Sequence, residues 1–147
     1  MFGYLALTRF YLARMQAQRR GVIINIIGAA GERPFAQYLA GAMGNSSLMA
    51  MTMALGADSQ RYGVRVVGVN PGPIATERVI RLARGWAQQT LGDAERYEEL
   101  LKQYPFGRAG AVDEVAPTVV FLASDRSSYT SGTIVTIDGG WANRFAG

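Results

Sequence analysis

The stretch GVIINIIG, from Gly21 to Gly28, decides the fold. It is a run of valine and isoleucine that is interrupted only by Asn25 and bounded by a glycine at each end. An apolar run without polar alternation is typical of a strand that is buried on both faces of a parallel sheet. We therefore predict a buried strand here, in a sheet of the parallel kind.

Two further strands are predicted downstream. Valines dominate residues 64–69, which end in the turn Asn70-Pro-Gly-Pro73, and residues 36–61 between the first two strands have a helical pattern. A strand, a helix and a strand of these lengths form a βαβ crossover. A third strand is predicted over residues 133–137, where Asp138-Gly-Gly140 closes it as a turn.

The remaining segments favour helices. Residues 2–18 place apolar side chains at helical spacing and arginines toward water, without a capping residue at the start. Small residues among methionines in 36–61 suit a helix packed closely on a sheet or another helix. Residues 76–103 are charged and helix-rich, and a last helix is expected to run to about Ala123. The apolar residues of the first helix are Tyr4, Leu5, Leu7, Phe10, Leu12 and Met15.

Composition narrows the class of protein. A chain of 147 residues, 49% of them hydrophobic, suits one domain. The 15 basic and 11 acidic residues are scattered, which argues against a nucleic-acid partner. The absence of cysteine and histidine excludes disulfides, thiolate nucleophiles and His-based triads within the chain. Its apolar runs are too short for a membrane span, and the start lacks a secretory pattern, so we predict a cytoplasmic protein.

Several motifs in register resemble the short-chain dehydrogenase/reductase family over essentially the whole chain. The run Gly21–Gly28 resembles the strand that ends in the family's catalytic serine. Val69-Asn-Pro-Gly-Pro-Ile-Ala-Thr76 resembles the loop beside the nicotinamide, and Ser131-Gly-Thr-Ile-Val-Thr-Ile-Asp-Gly-Gly140 resembles the last strand and its turn. Phe106-Gly-Arg108, Asp113-Glu-Val-Ala116 and Phe121-Leu-Ala-Ser124 follow the family's order.

The resemblance implies an α/β fold that is the C-terminal half of a Rossmann-like, doubly wound parallel sheet, with three strands and about four helical segments. Residues 1–147 then form a single partial domain. Within it, residues 1–75 carry helix, strand, helix, strand and the cofactor-side loop; residues 76–110 form a lid-like segment; and residues 111–147 hold the last helix and strand. The family's pyrophosphate-binding half is absent from this chain, which is expected to be a fragment or a truncated product.

The resemblance also implies where catalytic groups belong. In the family a tyrosine moves a proton on the carbinol oxygen, a lysine four residues later lowers the pKa of that tyrosine, and a serine orients the carbonyl. These positions carry Gly41, Asn45 and Gly28 here. Asn45 is expected to hydrogen-bond a ribose hydroxyl of the cofactor. Tyr38, one helical turn before Gly41, is the nearest substitute for the tyrosine, although packing at the helix start is the commoner role for such a ring.

The best preserved functional surface is the loop after the second strand. The resemblance implies that Pro71, Gly72, Pro73, Ile74 and Thr76 face the nicotinamide of NAD or NADP. The alternative is a rigid strand-to-helix turn, since two prolines around a glycine serve that purpose. The lid-like segment is expected to cover an apolar substrate or to be an ordinary amphipathic cover, and its candidate lining residues are Trp86, Leu91, Tyr97 and Leu100.

Different functions remain open at this point. The first is an NAD(P)-dependent oxidoreductase that acts on an alcohol or ketone with atypical catalytic positions. The second is a catalytically inactive relative that binds or oligomerises, because all three catalytic positions are substituted. The third is a fragment with no function of its own. The resemblance further implies a homo-oligomer that is formed through helices 2–18 and 36–61.

Overall fold

A computed structural model describes residues 1–143 as a three-stranded parallel sheet with helices on both faces. The strands are β1 (Gly21–Ile26), β2 (Val64–Pro71) and β3 (Ile134–Ile137), in the spatial order β1-β2-β3. The predicted strands and the α/β class are confirmed. The helices are α1 (Phe2–Gln18), α2 (Leu39–Ser59), α3 (Glu77–Leu91), α4 (Tyr97–Leu101) and α5 (Ala116–Ala123).

The helix count exceeds the prediction of about four segments. The charged segment contains two helices, α3 and α4, because Gly92 ends α3 in the left-handed conformation that glycine adopts readily. The predicted helix over 36–61 is confirmed as α2, extended at each end by a short 3₁₀ turn. Within residues 1–143, the structure has no helix that combines the length and the apolar character needed to cross a membrane.

The core is built on the central strand. Val64, Val66, Val67 and Val69 of β2 are each 0% exposed. Val67 and Val69 pack with Leu122 of α5 on one face of the sheet. Val64 and Val66 pack with Leu12 of α1 and Leu55 of α2 on the other. Helices therefore cover both faces, as a doubly wound sheet requires.

The predicted helix over residues 2–18 is confirmed as α1, but most of its apolar residues are exposed. Of its six apolar residues at helical spacing, only Leu12 is buried and Met15 is half-buried, while Tyr4, Leu5, Leu7 and Phe10 are exposed. The helix packs on β1, which is one of the two edge strands of the described sheet. Helical periodicity identified the helix, but burial also requires a packing partner on each side, and the described residues supply one on only part of its surface.

Small residues let α2 approach the sheet closely, as predicted. A Cβ at Gly56 would lie 2.2 Å from the backbone nitrogen of Gly132 and 2.5 Å from the carbonyl oxygen of Val66. Thr52 explains the polar residue within β1, because its Oγ1 accepts a buried hydrogen bond of 2.9 Å from Nδ2 of Asn25. The expectation that the methionines of α2 serve the core is only partly met, since Met43 and Met53 are exposed.

We predict that Gly56→Ala destabilises the fold, whereas Gly44→Ala in the same helix does not. The added methyl group at position 56 meets backbone atoms that cannot rotate away, and overpacking of this kind costs about 1–3 kcal/mol. Nothing lies within 4 Å of a Cβ at Gly44. There, alanine is expected to leave the free energy of unfolding unchanged or to raise it by up to about 1 kcal/mol. Chemical denaturation of both variants checks this, and equal effects would contradict the close approach.

Candidate functional site

A chain of hydrogen bonds joins the carboxyl ends of all three strands. The backbone N–H of Gly28, just after β1, donates to Oδ1 of Asn70 over 3.2 Å. Nδ2 of Asn70, on β2, donates over 2.7 Å to Oε1 of Glu32, which also accepts from the hydroxyl of Thr136 on β3. Asn70 is 0% exposed, so these bonds satisfy a buried amide. They hold the loop after β1 against the ends of β2 and β3.

The roles of Glu32, Asn70 and Thr136 in this chain of bonds are not predicted from the sequence. Asn70 stands in the quoted turn, where Pro71 and Gly72 follow it. Proline and glycine indicate the backbone conformation of a turn and say nothing about the bonds of the Asn70 side chain. The partners are distant along the chain, because Glu32 and Asn70 are 38 positions apart and Glu32 and Thr136 are 104 positions apart. The available sequence signal is a polar residue near the carboxyl end of each of two predicted strands, Asn70 after the second and Thr136 in the third.

The structure brings together Gly28 and Asn45, two of the three positions at which the resemblance implies catalytic residues. Nδ2 of Asn45 donates to the carbonyl oxygen of Gly28 over 3.3 Å, and a Cβ at Gly28 would lie 3.0 Å from that nitrogen. Gly28 has a φ of 137°, in a region that residues with side chains rarely adopt. Glycine at this position therefore suits both the backbone conformation and the close approach of Asn45.

Tyr38 occupies the space beside Gly41, the third of these positions. A Cβ at Gly41 would lie 2.1 Å from Cε1 and 2.2 Å from Cζ of the Tyr38 ring. The phenol therefore fills the volume that a side chain at position 41 would enter first. The same ring stacks on Phe35 with centroids 5.8 Å apart, yet Tyr38 remains 39% exposed. Tyr38 thus packs at the helix start and still presents part of its phenol to the outside.

The loop predicted to face the nicotinamide has a backbone that is fixed on both sides. Gly72 N–H donates to the carbonyl oxygen of Ile137 over 2.9 Å, and Gly110 exchanges 2.8 Å bonds with Pro73 and Ala75. A Cβ at Gly72 would lie 2.6 Å from Cβ of Asp138. This is a rigid turn at the carboxyl edge of the sheet, where ligands of open α/β sheets bind. Its Thr76 begins α3, and the threonine Oγ1 accepts from the N–H of Val79.

A cavity of about 280 Å³ lies on the side of this loop toward the lid-like segment. Burial raises the pKa of Tyr104, one of its lining residues, above the ordinary value. None of the four predicted lid residues lines this cavity. The lining residues are Pro73, Ile74, Tyr104, Pro105, Phe106, Arg108, Gly110, Glu114, Val115, Ile137, Asp138 and Gly139.

An ion pair closes one end of the cavity. The Arg108 guanidinium donates to both carboxylate oxygens of Glu114, over 2.7 and 2.8 Å, and the N–H of Ala111 donates to the same carboxylate over 2.7 Å. These bonds lower the pKa of Glu114 to about 2. Within residues 1–143, no group of three His, Cys, Asp or Glu residues is arranged to hold a metal ion.

Comparisons with known proteins match nearly the whole chain. The family model described as Enoyl-(Acyl carrier protein) reductase matches residues 1–142. A protein of Oryza sativa subsp. japonica, named Glucose and ribitol dehydrogenase homolog, is 34% identical over 95% of this chain and 46% of its own length. The chain therefore spans about half the length of the curated relatives it matches.

Solved structures agree with these matches. The crystal structure of levodione reductase is 27% identical, with a TM-score of 0.87 over 99% of this chain and 55% of its own. A gluconate 5-dehydrogenase from Burkholderia cenocepacia J2315, solved in complex with NADP and tartrate, is 28% identical, with a TM-score of 0.80 over 97% of this chain and 53% of its own. Both are proteins whose names denote oxidation or reduction.

We predict that Gly41→Ala is costly only while the Tyr38 ring is present. The methyl group at position 41 would overlap the ring, so the variant loses about 1–3 kcal/mol of unfolding free energy or expels the ring from its place. In a Tyr38→Ala background the same change has free space and should cost little. A double-mutant cycle by chemical denaturation measures this coupling. Equal costs in the two backgrounds would show that the ring does not fill this volume.

We predict that Glu114 stabilises the protein at neutral pH but not in strong acid. Its folded-state pKa lies below the ordinary value, so its contribution is present above about pH 4.5 and is lost as the pH falls toward about 2. Thermal unfolding of the protein and its Glu114→Gln variant should therefore differ at pH 6 and converge on acidification. Glu98→Gln serves as the control, because Glu98 is exposed and takes part in none of the ion pairs within residues 1–143. A difference that stays constant across this range would contradict the assignment.

Proposed function

Because this chain belongs to the short-chain dehydrogenase/reductase family, we propose that the full-length protein is an NAD(P)-dependent oxidoreductase that interconverts an alcohol and its ketone. The observation that carries the proposal is the position of Tyr38, whose phenol fills the volume next to Gly41. That volume belongs to the position where the family places its proton-transfer tyrosine. A phenol therefore lies beside this position, and it is supplied by a different residue.

The loop after β2 suits the nicotinamide end of such a cofactor. Pro71, Gly72, Pro73, Ile74 and Thr76 form a turn whose backbone bonds leave it little freedom, which favours a preformed binding edge. The hydroxyl of Thr76 accepts from Val79 and keeps its own hydrogen to donate to a ligand oxygen. The described residues contain no glycine-rich turn between a strand and a helix N-terminus, so we assign pyrophosphate binding to another segment of the full-length protein.

In the proposed reaction a residue of this chain donates and accepts the proton. NAD or NADP, when bound, supplies or takes the hydride. In the direction of reduction, the Tyr38 hydroxyl donates its proton to the carbonyl oxygen of the substrate as the alcohol forms. In oxidation, the Tyr38 oxygen takes the proton back from the alcohol hydroxyl, and solvent restores the balance in either case.

We propose a more limited role for Asn45 than the one the family's lysine has at this position. One of its N–H groups donates to Gly28, which leaves a second N–H and a carbonyl oxygen for a ribose hydroxyl. An amide carries no charge, so it does not stabilise a phenolate as an ammonium group does. We therefore propose that Asn45 binds the cofactor and leaves proton transfer to Tyr38.

The matching test is Tyr38→Phe in the full-length protein. Removing the hydroxyl is expected to lower kcat for hydride transfer by about 10²–10⁴-fold, as is typical for a lost general acid. The Kd of the nicotinamide cofactor should not change, because the ring and its stacking remain. Tyr129→Phe is the control, since Tyr129 is fully exposed. Unchanged kcat in Tyr38→Phe would contradict this role, and a protein without cofactor binding or hydride transfer on a broad panel of alcohols and ketones would contradict the function.

A second candidate is a non-catalytic binding or oligomerisation protein. The observation that favours it is that Gly28, Gly41 and Asn45 present no acid or base. Hydride transfer that is abolished by Tyr38→Phe would exclude this candidate.

We further propose a cytoplasmic homo-oligomer that forms through helices 2–18 and 36–61. Both helices expose large apolar side chains to solvent, and such surfaces commonly mark contacts between proteins. These side chains include Phe2, Leu7, Phe10, Leu39 and Met43.

A further inference from the structure

Three aromatic rings and one arginine form a continuous wall that ends at the proposed proton donor. We call Arg33, Phe35, Tyr38 and Trp141 the aromatic wall. The ring centroids of Phe35 and Tyr38 are 5.8 Å apart, and those of Phe35 and Trp141 are 6.2 Å apart. Arg33 covers the Trp141 ring at 5.5 Å from its centroid. The Tyr38 phenol therefore lies at one end of the wall and the Arg33 cation at the other.

The charge at the Arg33 end is not compensated by the described residues. Its NH1 donates to the carbonyl oxygen of Trp141 over 2.7 Å, which orients the guanidinium without neutralising it. No ion pair within residues 1–143 includes Arg33. The adjacent carboxylate, Glu32, is bonded instead to Asn70 and Thr136. A half-buried cation whose nearest acidic neighbour in sequence is otherwise engaged favours an external anion.

The rings leave part of their surface uncovered. Tyr38 is 39% exposed, and Phe35 and Trp141 are half-buried. Aromatic faces of this kind bind planar or apolar groups, and a guanidinium fork matches a carboxylate geometrically. The two properties occur on one wall, so a single ligand that has both an apolar body and a carboxylate is the complement of the whole wall.

We propose that the aromatic wall is the substrate-specificity surface, and that the substrate is an apolar or aromatic alcohol or ketone with a carboxylate group. This assignment rests on the proposed function for the reacting end, where Tyr38 meets the carbonyl. The apolar body lies along Phe35 and Trp141, and the carboxylate pairs with the guanidinium of Arg33. The chemistry at the carbonyl is unchanged by this pairing, which selects and orients the substrate.

The test compares two probes of the same shape with the full-length protein, 3-phenylpropionate and the neutral 3-phenylpropanamide, by isothermal titration calorimetry. The acid is expected to bind at least about tenfold more tightly than the amide, as one charge-assisted bidentate contact would give. Arg33→Gln should abolish this preference for the acid over the amide. Arg33→Lys should retain part of the preference, because it keeps the charge without the planar fork.

A matched arginine outside the wall controls for general charge effects. Arg126 is exposed and takes part in none of the ion pairs within residues 1–143, so Arg126→Gln should leave both affinities unchanged. Equal binding of acid and amide, or a preference that survives Arg33→Gln, would overturn the assignment. Neither measurement requires hydride transfer. A protein that prefers the acid but transfers no hydride would therefore refute the proposed reaction and leave this binding surface in place.

Discussion

The burial of β2 is the constraint on which the rest of the structure depends. Its four valines are 0% exposed and are divided between two opposite faces, so helices must pack on both sides of the sheet. Its backbone pairs in parallel with β1 on one side and β3 on the other. Parallel pairing places all three carboxyl ends at one edge, and every residue proposed for function lies on a segment that leaves or approaches that edge. A polar substitution within β2 would disturb the core and the site together.

At that edge, neighbouring side chains lie close against two glycines. Gly28 has no side chain, and the Asn45 amide lies against its backbone. Gly41 has no side chain either, and the Tyr38 ring lies where one would begin. Each of the two glycines is therefore matched by a neighbouring side chain that needs the space beside it.

Most of the fold is predictable because short-range patterns specify it. β-Branched runs identify β1, β2 and β3, and helical periodicity identifies α1 and α2 to within a few residues. The burial of α1 is not predictable in this way, since Tyr4, Leu5 and Leu7 are apolar yet exposed. Periodicity describes the spacing of side chains on one helix, whereas burial depends on what another segment places against it. The Glu32 bonds are hidden for a related reason, because they join residues that are far apart in sequence.

The sequence by itself determined the family and the parallel α/β architecture. Each of these follows from residue identity, order and local spacing. The tertiary structure alone decided that Tyr38 lies against Gly41, that Asn45 lies against Gly28, and that Arg33, Phe35 and Trp141 share one wall with Tyr38. Those relations depend on the path of the loop after β1 and on the return of β3 to the same edge. Distances across a fold are set by packing, which no local pattern encodes.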